Sequence, residues 1–431
     1  MWSIKAGELL SRWKDDNCKA EVTVIAQSKA DQDIFAVGYS DGSVRVWDCK
    51  TAQLVIRFNG HRSAVTTLAF DGSGTRLASG GKDAHIIVWD LISEVGLYRL
   101  KGHKDQVTGV EFLKGSNTLD VENEKMHDGE DCYLLSTGKD TLIKLWELST
   151  QHCMETHVAH NGECWGMALS PDQRGCLTIG NDGEMKVWVI DFREFTPSVT
   201  HSDTHCLLDR GYLYRANKDR GAGITFHPTS NFIATHGTDK SVEIWRIRSE
   251  DEVKRVLKRK RKRAAEKKKV STGEEEAEVA PANDLSSATV EDIFVSYVVV
   301  RTGGKVRGID WASKPGKSSS VQLLISLSNN SLEFYDIPIP SSSKEKKKVA
   351  EVPDYKKLHS LEFTGHRSDI RALALSSDDR MLASASSDSL KVWNVRTSTC
   401  IRTFDSGYSL CCSFLPGDKI VSSVLSSMNA I

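Results

Sequence analysis

The stretch Ser43-Val-Arg-Val-Trp-Asp48 decides the fold of this 431-residue chain, because the sequence repeats it in variant form. Each version predicts a short β-strand that ends on an aromatic residue. The six further versions are Ile86-Ile-Val-Trp-Asp90, Ile143-Lys-Leu-Trp-Glu147, Met185-Lys-Val-Trp-Val189, Val242-Glu-Ile-Trp-Arg246, Leu332-Glu-Phe-Tyr-Asp336 and Leu390-Lys-Val-Trp-Asn394. Such internal repetition predicts several copies of one small structural unit.

The repeats follow a base period that insertions interrupt. Their aromatic residues lie at positions 47, 89, 146, 188, 245, 335 and 393, with spacings of 42, 57, 42, 57, 90 and 58. Upstream of each comes a small-residue strand and a tight turn, as in Leu77-Ala-Ser-Gly-Gly-Lys-Asp83. Further upstream lies a Gly-His pair such as Gly60-His61 or Gly102-His103, or the variant Ala159-His160. The pattern predicts four short strands in each period.

The Gly-His pair, the turn aspartate and the terminal tryptophan together resemble the WD-repeat β-propeller family. The resemblance implies an all-β fold of seven four-stranded blades; the alternative is six blades of one propeller and the first blade of a second. It also implies that a histidine, a serine or threonine, the turn aspartate and the tryptophan form one hydrogen-bonded network per blade. The implied networks are His61-Ser79-Asp83-Trp89, His103-Ser136-Asp140-Trp146, His160-Thr178-Asp182-Trp188 and His366-Ser384-Asp388-Trp393.

Two blades depart from this pattern. The blade that ends at Trp245 has Thr235 and Asp239, but no clear Gly-His pair precedes them. In the next blade, Asn330 replaces the turn aspartate before Tyr335. Because buried polar groups need internal partners, we expect these two blades to be less firmly held.

Composition argues against several other classes of protein. Hydrophobic residues make up 39% and charged residues 27%, and 57 basic residues against 58 acids give a net charge of −1. The whole chain is therefore not a polycation that nucleic acid would attract. The first residues lack the apolar centre of a secretory signal, and no apolar run reaches the roughly 20 residues of a membrane helix, so no membrane partner is predicted.

Neither an active site nor a metal centre stands out. The Ser-His-Asp sets suggest a hydrolase triad, but they recur with the fold period, whereas a catalytic triad occurs once in a cleft. A cluster of His152, Cys153, His157, His160 and Cys164 matches no zinc-ligand spacing. The prediction is a protein that is not an enzyme and has no cofactor and no metal.

A dense basic run is the feature that the repeats do not explain. Eleven of the sixteen residues from Lys254 to Lys269 are basic, and Glu274-Glu-Glu276 then reverses the charge. Helix formers dominate the run, so the insertion is expected to be either a projecting helix from about 252 to 269 or a disordered loop. The candidate residues are Lys258, Arg259, Lys260, Arg261, Lys262, Arg263, Lys267, Lys268 and Lys269.

Three interpretations of this run stay open. It is a nuclear or nucleolar import signal, an RNA-phosphate contact, or a solvated segment with no specific role. Its position between two blades suggests that the fold does not need it. A weaker run, Lys344 with Lys346 to Lys348, supports the same interpretations.

Several phrases resemble one branch of the propeller family more closely. They are Gly96-Leu-Tyr-Arg-Leu-Lys-Gly-His-Lys-Asp105, Thr150-Gln-His-Cys153, Gly365-His-Arg-Ser-Asp-Ile-Arg371 and Cys400-Ile-Arg-Thr-Phe404, followed by Phe414-Leu-Pro-Gly-Asp418. They are similar to the WD repeat-containing protein three family. This resemblance implies a nucleolar scaffold of ribosome biogenesis in the small-subunit processome. Implied partners are other WD-repeat proteins of that assembly, the U3 small nucleolar RNP and pre-rRNA, contacted directly or indirectly.

The alternative function is a substrate adaptor of a cullin-type ubiquitin ligase, or another protein-interaction propeller. Such an adaptor is expected to carry Trp-Asp-x-Arg after a blade strand. The nearest approach is Trp393-Asn394-Val395-Arg396, with asparagine in place of aspartate. The ribosome-assembly scaffold is therefore the preferred hypothesis.

The repeat phrases also suggest boundaries along the chain. We expect blades one to five in residues 1–248, a basic and acidic insertion in 249–290 and the sixth blade in 291–336. A Lys/Ser/Pro-rich linker is expected in 337–357, and the seventh blade with partial following strands in 358–431. Compared with the family plan of two propellers in tandem, the chain resembles a fragment.

Overall fold

The computed structural model describes most of the chain. The described residues are 2–3, 8–9, 19–114, 131–191, 205–272, 288–312, 320–339, 355–362, 365–397, 399–405, 409–415 and 419–424. They belong to two compact units, one formed by Met1–Arg301 with Ser342–Pro353 and the other by Thr302–Ser341 with Asp354–Ile431.

The first unit contains five four-stranded antiparallel sheets, each a blade whose strands pair in chain order. A pair of two-residue strands, β1 (Trp2–Ser3) and β2 (Glu8–Leu9), precedes them. The first and second blades are β3 (Val22–Gln27), β4 (Ile34–Tyr39), β5 (Ser43–Asp48) and β6 (Gln53–Asn59), and β7 (Val65–Phe70), β8 (Arg76–Gly81), β9 (His85–Asp90) and β10 (Val95–Lys101). The third and fourth blades are β11 (Val107–Lys114), β12 (Asp131–Gly138), β13 (Leu142–Glu147) and β14 (His152–Val158), and β15 (Cys164–Leu169), β16 (Gly175–Gly180), β17 (Glu184–Ile190) and β18 (Leu207–Tyr214). The fifth blade is β19 (Gly221–Phe226), β20 (Phe232–Gly237), β21 (Ser241–Ile247) and β22 (Phe294–Arg301). Two helices, α1 (Glu250–Thr272) and α2 (Val290–Ile293), lie between β21 and β22.

The second unit contains two more blades of the same kind. They are β23 (Val306–Trp311), β24 (Ser320–Leu327), β25 (Ser331–Pro338) and β26 (Lys356–Glu362); and β27 (Ile370–Leu375), β28 (Met381–Ser386), β29 (Leu390–Asn394) and β30 (Thr399–Phe404). A further pair, β31 (Ser409–Leu415) and β32 (Lys419–Val424), follows. Strand β31 contacts β27, as the first strands of neighbouring blades do in the first unit, so this pair has the position of the start of another blade.

The repeat phrase forms the third strand of every blade, and its aromatic residue is placed by a bulge. In the first blade the pairing of β5 with β6 shifts register between Val46 and Trp47. The residue after the aromatic residue then caps the following turn, because Asp48 Oδ1 accepts the Lys50 N–H at 2.8 Å. Asn394 does the same for the Arg396 N–H at 3.0 Å, so the asparagine keeps the local turn chemistry of the aspartate.

The core of the first unit lies between successive blades. Four apolar clusters join blades one and two, two and three, three and four, and four and five. Each contains the repeat tryptophan of its later blade, and the Trp89 ring stacks on Phe58 with 4.7 Å between centroids. Burial of a large apolar side chain contributes about 1.5–3 kcal/mol, so these tryptophans are a main source of stability.

The predicted fold is confirmed and the predicted helix is present, but some boundaries were wrong. Strand β22 pairs with β21 and completes the fifth blade, so the sixth blade does not begin at residue 291. The charged insertion separates the third and fourth strands of the fifth blade. The expected 337–357 linker includes the end of β25 and the start of β26, which pair with each other, so it belongs to the sixth blade. The reason is that the repeat phrase marks the third strand, and the fourth strand can follow a long insertion.

None of the described helices has the length and apolar character that a membrane-spanning segment requires.

Candidate functional site

Three blades of the first unit carry a complete polar network. In the second blade, His61 Nδ1 lies 3.0 Å from Asp83 Oδ1 and its Nε2 lies 2.8 Å from Ser79 Oγ. The Trp89 Nε1–H donates to the same serine oxygen at 2.8 Å. The third and fourth blades repeat this arrangement with His103, Ser136, Asp140 and Trp146, and with His160, Thr178, Asp182 and Trp188.

The network of the second blade is buried, and this burial favours the neutral form of its histidine. Burial lowers the pKa of His61, and the hydrogen bond to Asp83 offsets this only in part. Burial raises the pKa of Asp83, but hydrogen bonds from the Arg62 N–H and from His61 outweigh it, so the net shift of this pKa is downward. Since an ionised carboxylate only accepts, His61 Nδ1 carries the proton and donates to Asp83.

Ser79, His61 and Asp83 are hydrogen-bonded in the same order as the residues of a catalytic triad, but a substrate cannot reach the serine. Ser79 is 0% exposed. Its hydroxyl already has three neighbours, His61, Trp89 and the Ile87 carbonyl oxygen at 3.3 Å. A nucleophilic serine needs an open approach for the substrate carbonyl, so this geometry is that of an internal hydrogen-bond network.

In the seventh blade, the network differs from the predicted His366-Ser384-Asp388-Trp393 set in one member. His366 Nε2 lies 2.6 Å from Ser384 Oγ, and the Trp393 Nε1–H donates to Ser384 at 2.7 Å. Asp388 is not part of this network, because His366 Nδ1 lies 2.9 Å from Ser386 Oγ instead. The spacing from serine to tryptophan is nine residues here and ten in the second blade, so the shorter turn brings a serine to the histidine.

The fifth blade lacks the histidine and replaces its network only in part. Thr235 Oγ1 and Trp245 Nε1 are buried, and neither has a hydrogen-bond partner among the described residues. The nearby turn is held by Asp219, whose Oδ2 accepts the Asp239 N–H at 3.0 Å and whose Oδ1 pairs with Arg215 at 3.0 Å. The predicted weakness of this blade thus has a physical counterpart in two unsatisfied groups.

The sixth blade replaces the network with other side chains, which the sequence did not reveal. Asn330 Nδ2 donates to the His366 carbonyl oxygen at 2.7 Å. The Tyr335 hydroxyl donates to Glu333 at 2.8 Å, and Lys357 pairs with the same carboxylate at 2.6 Å. In this blade, the buried Glu333 carboxylate and its partner Lys357 therefore replace the histidine-containing network of the second to fourth blades.

The basic helix α1 is attached to the fifth blade by its first half. Val253 and Leu257 are buried, with 4% and 9% of their surfaces exposed. Arg246 on β21 pairs with Glu252 at 3.2 Å, and Lys260 Nζ lies 2.6 Å from Asp292 Oδ1 of α2. The first half of the segment is therefore not a free projection, since it contacts β21 and α2. That the fold does not need the segment stays a prediction.

The other side of α1 presents basic residues to solvent. The exposed members without an ion pair among the described residues are Arg255, Lys258, Arg259, Lys262 and Arg263, of which Arg255 was not among the candidate residues. Lys260 is also exposed but pairs with Asp292, and Arg261 is half-buried. Lys267, Lys268 and Lys269 belong to the helix, but their side chains lie outside the described part of the structure, as do Glu274 to Glu276 and Lys344 to Lys348.

Seven four-stranded blades, four of which join a histidine, a serine or threonine and the repeat tryptophan by hydrogen bonds, define a WD-repeat β-propeller protein. Residues 1–190 match the family described as the WDR3 first beta-propeller domain, and residues 356–394 match the WD domain, G-beta repeat. The chain is 38% identical to U3 small nucleolar RNA-associated protein 12 of Saccharomyces cerevisiae over 98% of this chain and 42% of that protein. It is 33% identical to mouse WD repeat-containing protein 3 over 49% of this chain and 21% of that protein. The chain belongs to the family of these two proteins and spans less than half the length of each.

Asp83→Ala should destabilise the protein by about 1–3 kcal/mol, because it leaves His61 and two backbone N–H groups without their buried acceptor. Asp388→Ala is the matched control, since Asp388 occupies the same repeat position but is exposed and outside its network. Urea denaturation of both variants measures the difference. Equal free energies of unfolding for the two variants would contradict the role assigned to Asp83.

A threonine pair tests the incomplete network of the fifth blade. Thr178→Val should cost about 1–3 kcal/mol, because His160 and Trp188 both lose their partner, whereas Thr235→Val should cost less than about 0.5 kcal/mol. The two changes remove the same hydroxyl group at equivalent buried positions. A comparable loss of stability in both variants would show that Thr235 has a partner after all.

Proposed function

We propose that the chain is a non-catalytic scaffold of ribosome biogenesis that acts in the small-subunit processome. Its proposed partners are other WD-repeat proteins of this assembly, the U3 small nucleolar RNP and pre-rRNA, and its proposed location is the nucleolus. Family membership supports this proposal, because one relative is named for its association with U3 small nucleolar RNA and aligns with 98% of the chain.

The buried networks support a role without catalysis. Each of the three complete Ser/Thr-His-Asp sets places its hydroxyl at 0% exposure and gives it a tryptophan N–H to bind. A group that is saturated with internal partners has no free lone pair or proton for a substrate. These residues are therefore assigned to the fold.

The exposed face of α1 is the observation that carries the proposal furthest. Five basic side chains without an ion pair among the described residues share a helix whose opposite side is buried and whose ion pairs join it to β21 and α2. Such a rigidly attached cationic surface suits the phosphates of RNA, and the same basic run suits import into the nucleus. Lys260 takes no part in this face, because Asp292 pairs with it.

Replacement of four of these five exposed residues by glutamine should leave the full chain mostly in the cytoplasm. Glutamine retains helix propensity, so the change removes charge and not the helix. The residues are Lys258, Arg259, Lys262 and Arg263, and the matched control replaces four exposed basic residues of the blades, Lys19, Arg57, Lys101 and Lys305. Fluorescence imaging of tagged chains measures the outcome. Nuclear accumulation of both variants would show that the nuclear import signal lies elsewhere in the chain.

The same pair of variants tests contact with RNA. The logarithm of the affinity for a single-stranded pre-rRNA fragment should fall linearly with the logarithm of salt concentration, with a slope near −0.7 per phosphate contacted. Loss of the four charges on α1 should flatten this slope by up to about 3, whereas the control should leave it nearly unchanged. Filter binding between 50 and 200 mM salt is the measurement. An unchanged slope in the α1 variant would restrict this helix to transport.

A further inference from the structure

Three potential metal ligands converge where the third blade meets the fourth. Glu155 and His157 lie two residues apart on β14, and His205 precedes β18. His157 Nε2 lies 2.9 Å from Glu155 Oε2, and His205 Nδ1 lies 3.8 Å from the same oxygen. One ligand atom from each residue falls within 4.8 Å of the other two. We propose that these three residues form a site for a divalent transition metal of the zinc class.

The register of the blades shows that this polar pair is unusual for its position. Glu155 and His157 face Leu145 and Ile143 across the third and fourth strands. The residues at the same two positions in the other blades of the first unit are Ile56 and Phe58, Tyr98 and Leu100, Gly211 and Leu213, and Val298 and Val300. A carboxylate and an imidazole at positions that are otherwise apolar or glycine cost solvation, which a bound cation would offset.

The carboxylate is held in place by the backbone that follows His205. Glu155 Oε1 accepts the Cys206 N–H, and Glu155 Oε2 accepts the Leu207 N–H at 3.2 Å. The His157 ring lies against Trp188, with 5.8 Å between centroids. Contacts of this kind orient metal ligands before the metal binds, and they restrict the freedom of two of the three groups.

Exposure gives the site an open side. The side chains of Glu155, His157 and His205 are 10%, 26% and 57% exposed. Zinc–nitrogen and zinc–oxygen bonds of about 2.0–2.2 Å place the ligand atoms of a tetrahedral site about 3.3–3.5 Å apart. The two observed distances, 2.9 Å from His157 to Glu155 and 3.8 Å from His205 to Glu155, bracket this value. Metal binding requires His205 to approach Glu155 slightly and His157 to separate from it by about 0.5 Å. Two imidazoles favour zinc-class metals over calcium or magnesium.

The sequence alone did not predict this site, because its three ligands come from two different blades. The His/Cys cluster visible in the sequence contains His157, but its other members are His152, Cys153, His160 and Cys164, and not Glu155 or His205. His160 is committed to Asp182 and Thr178, and Cys164 is buried. His205 lies 48 residues beyond His157, across an insertion, so no short spacing motif connects them.

Zinc binding by the full chain tests the proposal. The protein is stripped with a chelator, kept reduced without added thiols and titrated with Zn²⁺ against a chromophoric chelator. All proteins in the experiment carry Cys153→Ser, because this exposed thiol on β14 is an alternative ligand. One site is expected in this background, and Zn²⁺ should raise its Tm.

His205→Ala and His157→Gln should each weaken that site by at least about 10- to 100-fold, the loss known even for residues that only support ligands. His152→Ala is the matched control, since His152 is exposed on the same strand and outside the cluster; it should bind Zn²⁺ with unchanged affinity. His205 is largely exposed, so its alanine variant should melt like its parent without metal. Absence of Zn²⁺ binding, or equal affinity in the His205→Ala variant, would overturn the proposal and leave Glu155 as a cap for the Cys206 and Leu207 N–H groups.

Discussion

The hydrogen bond from a tryptophan N–H to a buried hydroxyl is the contact on which the blades depend. Trp89, Trp146 and Trp188 lie in the apolar layers between successive blades, where an indole N–H without a partner would be costly. Ser79, Ser136 and Thr178 supply that partner, and a histidine held by an aspartate completes each chain. A large side chain can therefore fill the layer without an unsatisfied group.

A network confined to one blade also explains why the chain accepts insertions. The residues of the second-blade network lie between His61 and Trp89, and none comes from the connection between the third and fourth strands. Loops outside the network can lengthen without disturbing it. Both features that go beyond the repeat lie next to such loops: the basic helix follows β21, and His205 precedes β18.

Much of the fold could be predicted from the sequence because its signals are local. The alternation and terminal aromatic residue of Ser43–Asp48 identify a strand, and its recurrence identifies the architecture. Boundaries were less accessible, since a phrase that marks third strands does not show where a fourth strand such as Phe294–Arg301 rejoins its blade. Asp388 was misplaced because a turn one residue shorter changes which side chain reaches His366.

The candidate sites were harder to predict because they depend on which surfaces pack. The sequence shows a uniform basic run, whereas the structure buries Leu257, pairs the exposed Lys260 with Asp292 and leaves other basic residues without an ion pair among the described residues. The zinc-class cluster needs contact between residues of two blades, which periodicity alone does not provide. Spacing therefore identified the networks and missed both the paired lysine and the metal ligands.

The fifth blade joins these arguments, because its network is incomplete and it carries the inserted helices. Trp245 lacks the hydroxyl contact of its counterparts but packs in an apolar cluster that includes Val290 of α2. Helix α2 in turn holds α1 through the ion pair between Asp292 and Lys260. Apolar contact from the insertion thus supports the blade at the point where the histidine is absent. Helix α2 therefore has two roles, since its Val290 packs in the apolar cluster of Trp245 and its Asp292 holds the basic helix α1.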